Sequence, residues 1–191
     1  MIRLTELVHE RLAGHVSAGD IAIDATAGNG HDTHLLASLV GDSGRVFSFD
    51  IQHEAIAATA QRIEESGFRN VELLPESHAN LVELIPQQHH GEVAAVVFNL
   101  GYLPGGDKRV TTLVDTTSRA LRGSLELLKP GGLISLLCYV GHPGGEAEAA
   151  AVDATLDELS RDEWQVETLR VPDAKSAPHL HLVSRLADSR N

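Results

Sequence analysis

Between Ile21 and Val97 the sequence alternates between two hydrophobic rhythms, short β-type runs and longer stretches with an apolar residue every three or four positions. That alternation constrains the fold most, because it predicts parallel strands whose connecting helices cover both faces of one sheet. Leu4, Leu7, Val8 and Leu12 first mark a helical stripe. Residues 20–24 read as a buried strand, 25–30 as a tight turn of small residues, and 32–40 as a helix opening directly behind it. A second strand covers 45–50, and a second helix covers 55–66 and stops at Gly67. Strands over 71–74 and 93–98 follow, with a short helix over 81–85 between them. A longer helix marked by Leu113, Thr117, Leu121 and Leu128 ends at a turn cluster, 129–132, which leads into a strand over 133–139. After an Ala-rich helix over 145–159, the strands 164–171 and 179–186 lie too close for a helical crossover. They should form an antiparallel hairpin or edge pair. Residues 187–191 read as a frayed end.

A chain of 191 residues, 42% hydrophobic and 22% charged, has the size and make-up of one domain. It is long enough to bury roughly 70% of its unfolded surface, so it needs neither disulfides nor a structural metal. Cys138, the single cysteine, excludes a disulfide-rich secreted scaffold. No apolar run approaches the ~20 residues of a membrane span, and residues 1–14 lack the cationic start and apolar block of a signal peptide. The expectation is a cytoplasmic protein. Fifteen Lys and Arg against 27 Asp and Glu give a net charge of −12, which opposes loose attachment to phosphate backbones. A nucleic-acid partner must therefore meet a local basic patch. His31/His34, His89/His90 and His179/His181 come without a Cys or carboxylate framework, so no metal site is expected.

A strand ending in Asp24, a turn carrying Gly28 and Gly30, a helix, and an acid closing the next strand at Asp50 form the pattern of a nucleotide site. The alternative is a plain strand-to-helix turn. Glycine permits close backbone approach to a ligand and positive φ, while a carboxylate at Asp50 can accept both ribose hydroxyls. A dinucleotide fingerprint wants a third glycine where Thr33 stands, and pyrophosphate would sit over the helix N-terminus. Asp32 puts a negative charge there, which repels pyrophosphate and can receive the ammonium of an amino-acid moiety. That favours S-adenosylmethionine over NAD. Asp32 also reads as a helix cap, and the two roles are compatible.

Asp24-Ala-Thr-Ala-Gly-Asn-Gly30 resembles motif I of class I methyltransferases, with Thr26 in place of the usual first glycine. Extended to Thr33 and joined by Phe49-Asp-Ile-Gln52, Phe98-Asn-Leu-Gly-Tyr-Leu-Pro-Gly-Gly-Asp-Lys108 and Asp115-Thr-Thr117, it resembles the MnmM (YtqB-like) family of bacterial tRNA wobble-uridine methyltransferases, formerly described as rRNA methylases. The resemblance runs from Asp24 to about His181, with residues 99–108 its most specific segment. It implies a Rossmann-like seven-stranded sheet, mostly parallel with an antiparallel C-terminal strand and helices on both faces. It also implies methylation of the amine of 5-aminomethyl-(2-thio)uridine at position 34 of tRNA by S-adenosylmethionine. Carried over by position, the cofactor contacts fall on Asn29, His31, Asp32, Asp50, Gln52, Ser77 and His78, beside Gly28 and Gly30 of the turn.

Methyl transfer from a sulfonium needs little acid–base work beyond in-line placement of a neutral nucleophile. An aminomethyl nitrogen must first lose its proton. Asn99, at the exit of the fourth strand, can accept a hydrogen bond from that amine, joined by a backbone carbonyl of the following turn. The arrangement resembles the Asn-Pro-Pro-Tyr device of amino-group methyltransferases, with Leu100 and Gly101 replacing both prolines. Tyr102 can stack on an extruded uracil. The alternative is a strand-ending turn with an ordinary half-buried Tyr. Gly105 and Gly106 permit a flexible loop presenting Lys108 and Arg109 to phosphate, or simply a solvated loop. Arg119 and Arg122 follow at helical spacing and can extend a basic face. Tyr139 and His142, after the fifth strand, reach the same sheet edge and can line the substrate pocket. Cofactor is expected over strands one and two, substrate over four and five. The partner implied is the tRNA anticodon stem-loop, with neither DNA nor membrane, and a homodimer would widen the footprint of a small acidic domain. The rivals are methylation of rRNA or of a small-molecule amine, and an NAD-linked enzyme or nucleotide-binding regulator on the same fold.

Overall fold

The computed structural model describes residues 4–170 and 177–187. Seven strands, β1 (Ile21–Asp24), β2 (Arg45–Phe49), β3 (Val71–Leu74), β4 (Val93–Leu100), β5 (Leu128–Cys138), β6 (Trp164–Arg170) and β7 (His179–Arg185), form one sheet in the order β3-β2-β1-β4-β5-β7-β6. Every pairing from β3 to β5 is parallel, whereas β7 runs antiparallel to both its neighbours. The expected mostly parallel sheet is present. Its antiparallel strand is inserted between β5 and β6 and does not lie at the edge.

Helices α1 (Leu4–His15), α2 (His31–Val40) and α3 (His53–Glu65) precede β1, β2 and β3, while α4 (Leu81–Leu84), α5 (Val114–Leu127) and α6 (Gly145–Asp157) precede β4, β5 and β6. Side chains alternate across each strand, so every strand feeds two cores. Ile23, Phe47, Phe49 and Phe98 pack with Leu81, Leu121 and Leu156 on one face. Ala22, Val46, Val97 and Leu137 pack with Leu12, Leu36 and Val40 on the other. A fully buried side chain such as Leu12 contributes about 1.5–3 kcal/mol to holding its helix down. Among the described residues no helix is long and apolar enough to cross a membrane.

Most boundaries agree with the sequence reading to within two residues, and one differs by more. Residues 129–132, read as a turn ahead of the fifth strand, lie inside β5 as a bulge, because Val93 pairs with Leu128 and Ala95 with Leu133. The turn chemistry is still used there, with Gly131 at φ 78°. Val171 and residues 188–191, read as a strand end and a frayed tail, lie outside the described residues.

From β1 the chain winds outward through β2 to β3, then returns to place β4 on the other side of β1. At such a reversal the connections leave the carboxyl ends of β1 and β4 in opposite directions, which opens a crevice between them.

Candidate functional site

The turn after β1 is built by glycine and braced from three sides. Gly28 and Gly30 have φ of 53° and 77°, the left-handed region that a Cβ resists. Gly28 N–H donates to Asp50 Oδ2 at 3.0 Å, Thr59 Oγ1 donates to the Gly28 carbonyl at 3.2 Å, and Arg62 Nε donates to the Asn29 carbonyl at 2.8 Å. Asp50 Oδ1 also accepts the Gln52 N–H at 2.9 Å. Gly30, expected beside the cofactor contacts, is buried behind the turn, and a Cβ there would lie 2.9 Å from Thr59 Cα. Its role is to let α3 approach the start of α2.

Below the turn, Asp24 is fully buried, with Thr33 Oγ1 donating to it at 2.6 Å and the Thr26 N–H at 3.1 Å. Burial, and then the neighbouring Asp32 charge, push its carboxyl up to about 7. Thr33, which stands where a dinucleotide site carries glycine, is therefore the anchor of this acid.

Asp32 does not cap α2. Gly30 is the N-cap residue and no side chain caps the helix, while Asp32 faces the crevice. There its Oδ2 accepts Asn99 Nδ2 at 2.7 Å and its Oδ1 lies 2.6 Å from His9 Nε2. Since the Asn99 amide nitrogen is held by a carboxylate, its carbonyl Oδ1 is the end left to face a ligand. Thr26 Oγ1 accepts the Asn99 N–H at 2.7 Å, which fixes the backbone as well. The two backbone carbonyls next in sequence are already engaged. The Leu100 carbonyl accepts Tyr139 N–H at 2.9 Å and the Gly101 carbonyl accepts Thr112 N–H at 2.8 Å, so both are turned into backbone pairing.

These groups line one cavity of about 940 Å³ at the carboxyl ends of β1 and β4. Of the residues singled out by sequence, it gathers Gly28, Asn29, His31, Asp32, Asp50, Gln52, Ser77, His78, Asn99, Tyr102, Tyr139 and His142. Lys108 and Arg109 stay outside its walls. Lys108 Nζ lies 5.6 Å above the Tyr102 ring, a cation–π position at the rim. Arg109 folds back onto Asp107 in the same loop, at 2.6 Å, with its side chain 89% exposed. Arg119 and Arg122 extend no free basic face either, being paired with Glu83 and Glu158.

His78 has a defined polarity. Nδ1 lies 3.1 Å from the Ala25 carbonyl and must donate to it, so Nε2 carries the lone pair, and that atom is buried with no partner. Burial lowers its pKa, which keeps the ring neutral and the acceptor available. At the other end, Glu148 of α6 is 2% exposed and accepts Thr112 Oγ1 at 2.7 Å and Thr117 Oγ1 at 2.6 Å. This clamp ties the loop after β4 to α5 and α6. His9 and Glu148 are absent from the residues singled out by sequence, and Asp24 and Thr26 enter there only as parts of the turn pattern, without the contacts seen here. Thr5 and His9, one helical turn apart, were the available sign that α1 turns a polar face to the site.

A family profile described as "Putative rRNA methylase" matches residues 46–185. The chain belongs to that family. A crystal structure of an rRNA methylase of this kind from Clostridium thermocellum is 36% identical, covers 97% of this chain and 99% of its own, and superposes with a TM-score of 0.92. A methyltransferase from Streptococcus mutans, solved in complex with S-adenosylhomocysteine, is 31% identical with a TM-score of 0.86, covering 97% of this chain and 99% of its own. Among curated proteins, the chloroplastic tRNA (mnm(5)s(2)U34)-methyltransferase of Arabidopsis thaliana is 40% identical over 85% of this chain. The chain spans 62% of the length of that relative. Both the rRNA methylase family and the sheet order assign the class I methyltransferase fold.

Proposed function

We propose that this member of the rRNA methylase family transfers a methyl group from S-adenosylmethionine to the amine of 5-aminomethyl-(2-thio)uridine at the wobble position of tRNA. The observation that carries the reading is the Asn99 amide, held by Asp32 at 2.7 Å so that its carbonyl is left for a ligand amine in the same cavity as the glycine turn and Asp50. The identity to the chloroplastic tRNA methyltransferase supports the choice of acceptor.

The residues present fit the cofactor. Asp50 offers carboxylate oxygens for ribose hydroxyls, the backbone at Gly28 leaves room for close approach, and the orphaned Nε2 of His78 is an acceptor for an amino group such as that of adenine. Bound there, the cofactor supplies an electrophilic methyl on a sulfonium. The chain's own task is to present a neutral amine in line with it. Asn99 Oδ1 accepts one amine N–H and so directs the nitrogen lone pair. Tyr102, 37% exposed at the rim, offers a ring face to the uracil, and Lys108 above it offers a cation to phosphate. The pairing of Arg109 with Asp107 lies open to solvent, where water and salt screen it, so an RNA phosphate can exchange for Asp107.

The test is to incubate the protein with S-adenosylmethionine and tRNA bearing 5-aminomethyl-2-thiouridine, digest, and weigh the nucleosides by mass spectrometry. A gain of one methyl on that nucleoside is expected, and Asn99→Ala should lower the rate by about tenfold or more with little change in S-adenosylhomocysteine affinity. Parallel arms with ribosomal RNA and metabolite amines identify the acceptor otherwise. Methyl incorporation only there would overturn the tRNA assignment.

A further inference from the structure

We infer that His9 is a positioning residue of this site, acting through Asp32 to set the orientation of Asn99. The inference deepens the methyltransferase reading and rests on it. His9 belongs to α1, whose Val8 and Leu12 are buried against the sheet, so the helix is a fixed platform and His9 is held toward the cavity beside Thr5.

The three side chains form one continuous chain across three elements. His9 from α1 meets Asp32 Oδ1 at 2.6 Å, and Asn99 from β4 meets Asp32 Oδ2 at 2.7 Å, with Asp32 itself on α2. A carboxylate bonded at one oxygen can still rotate about its last torsion, which is broad for Asp. Bonded at both oxygens by groups on different elements, it has one plane. That plane decides which end of the Asn99 amide turns inward, because a carboxylate can only accept and the amide can donate only from Nδ2. Asp32 is 15% exposed and His9 39%, so the bond is shielded at the carboxylate end, where orientation matters. The hydrogen bond to Asp32 raises the His9 pKa, opposed by burial and reinforced by the Asp32 charge, and in either protonation state Nε2–H can donate to the carboxylate.

A tether for α1 would be a different role, and the structure supplies it elsewhere: Leu12 is fully buried and Arg11 pairs with Glu167 at 3.1 Å. Nor does His9 supply the negative charge that a cationic ligand needs. Removing the imidazole leaves the Asp32 carboxylate in place, so cofactor binding should not weaken while the amide loses its register.

The experiment compares the full-length protein with His9→Ala and His9→Gln, the second keeping an N–H donor for Asp32. Three quantities are read: kcat and KM for tRNA methylation, the dissociation constant of S-adenosylhomocysteine by calorimetry, and the side-chain amide resonance of Asn99 in the ligand-free protein. His9→Ala should cut kcat by about tenfold or more, leave KM and cofactor affinity within about threefold, and shift the Asn99 amide signal. His9→Gln should recover the signal and most of kcat. An unmoved Asn99 signal in His9→Ala would overturn the inference. A loss of cofactor affinity equal to the loss of rate, or a His9→Gln as impaired as His9→Ala, would do the same. If the wild-type protein methylates no tRNA, the acceptor assignment fails separately, and the Asn99 signal across the same proteins still decides His9.

Discussion

Glu148 offers the sharpest test of how the loop carrying the acceptor-side residues is held. Its carboxylate is 2% exposed and accepts hydrogen bonds from the hydroxyls of Thr117 at 2.6 Å and Thr112 at 2.7 Å. Hydrogen bonds to a charged group contribute about 1.5–3 kcal/mol each, offset in part by the cost of burying the charge. Glu148→Ala removes both bonds, opens a small void, and strands the hydroxyl of Thr117, which is 1% exposed. The expected loss of stability is about 3 kcal/mol. Glu148→Gln keeps the volume and can still accept from one threonine while donating to the other, so about 1 kcal/mol is expected. Urea unfolding followed by the fluorescence of Trp164, the single tryptophan and nearly buried on β6, reads both values. The loop should respond too. Thr112 N–H holds the Gly101 carbonyl at 2.8 Å, and Tyr102 and Thr111 form an isolated bridge, so freeing Thr112 loosens the strand exit that carries Tyr102. KM for tRNA should then rise several-fold in Glu148→Ala, with cofactor affinity nearly unchanged. Stability within about 0.5 kcal/mol of wild type, or equal damage from the two substitutions, would refute the clamp.

Asp50→Ala should weaken S-adenosylhomocysteine binding by about 1–3 kcal/mol in calorimetry, since it removes a ribose acceptor and also releases the Gly28 N–H. Gly30→Ala should cost at least about 2 kcal/mol in urea unfolding, because φ is 77° and the new Cβ would meet Thr59 Cα at 2.9 Å. Thermal or urea curves matching wild type would show that the turn relaxes freely. His181 is buried and held down to about 4, chiefly by desolvation, so the unfolded chain binds a proton between about pH 4 and 6.5 that the fold refuses. Stability should therefore fall as pH drops through that window, by about 3 kcal/mol from this group. Asp24, raised in the fold, contributes with the opposite sign there, so the comparison is with His181→Gln, which should lose the His181 slope and keep the rest.

Much of the site was legible because its chemistry is local in sequence. Asp24, Gly28 and Asp50 announce themselves by strand-turn-helix-strand spacing, and Asn99 by standing at the end of an all-apolar run. What was not legible is tertiary. His9 lies twenty-three positions before Asp32 and Glu148 thirty-six after Thr112, and periodicity says nothing about which polar side chain of one helix will reach another element. Gly30 was read as a ligand contact because glycine's two uses, nearness to a ligand and nearness to a helix, leave the same letter in the sequence. Arg109 was read as free because an Asp two residues earlier in a loop is not a helical pair, yet the backbone curls enough to bring them together. The 129–132 cluster misled about a boundary for the same reason: turn residues describe local backbone, and whether strand pairing resumes before them depends on the neighbour.

The insertion of β7 between β5 and β6 has a consequence for biosynthesis. β6 hydrogen-bonds to β7 alone, and β5 has β4 on one side only until β7 arrives. A nascent chain halted before His179 therefore displays two sticky strand borders, one of them along residues 133–138 of β5, which are buried in the finished sheet. This sheet closes only once β7 has been made, which makes chains shortened before it candidates for clumping and not for partial activity.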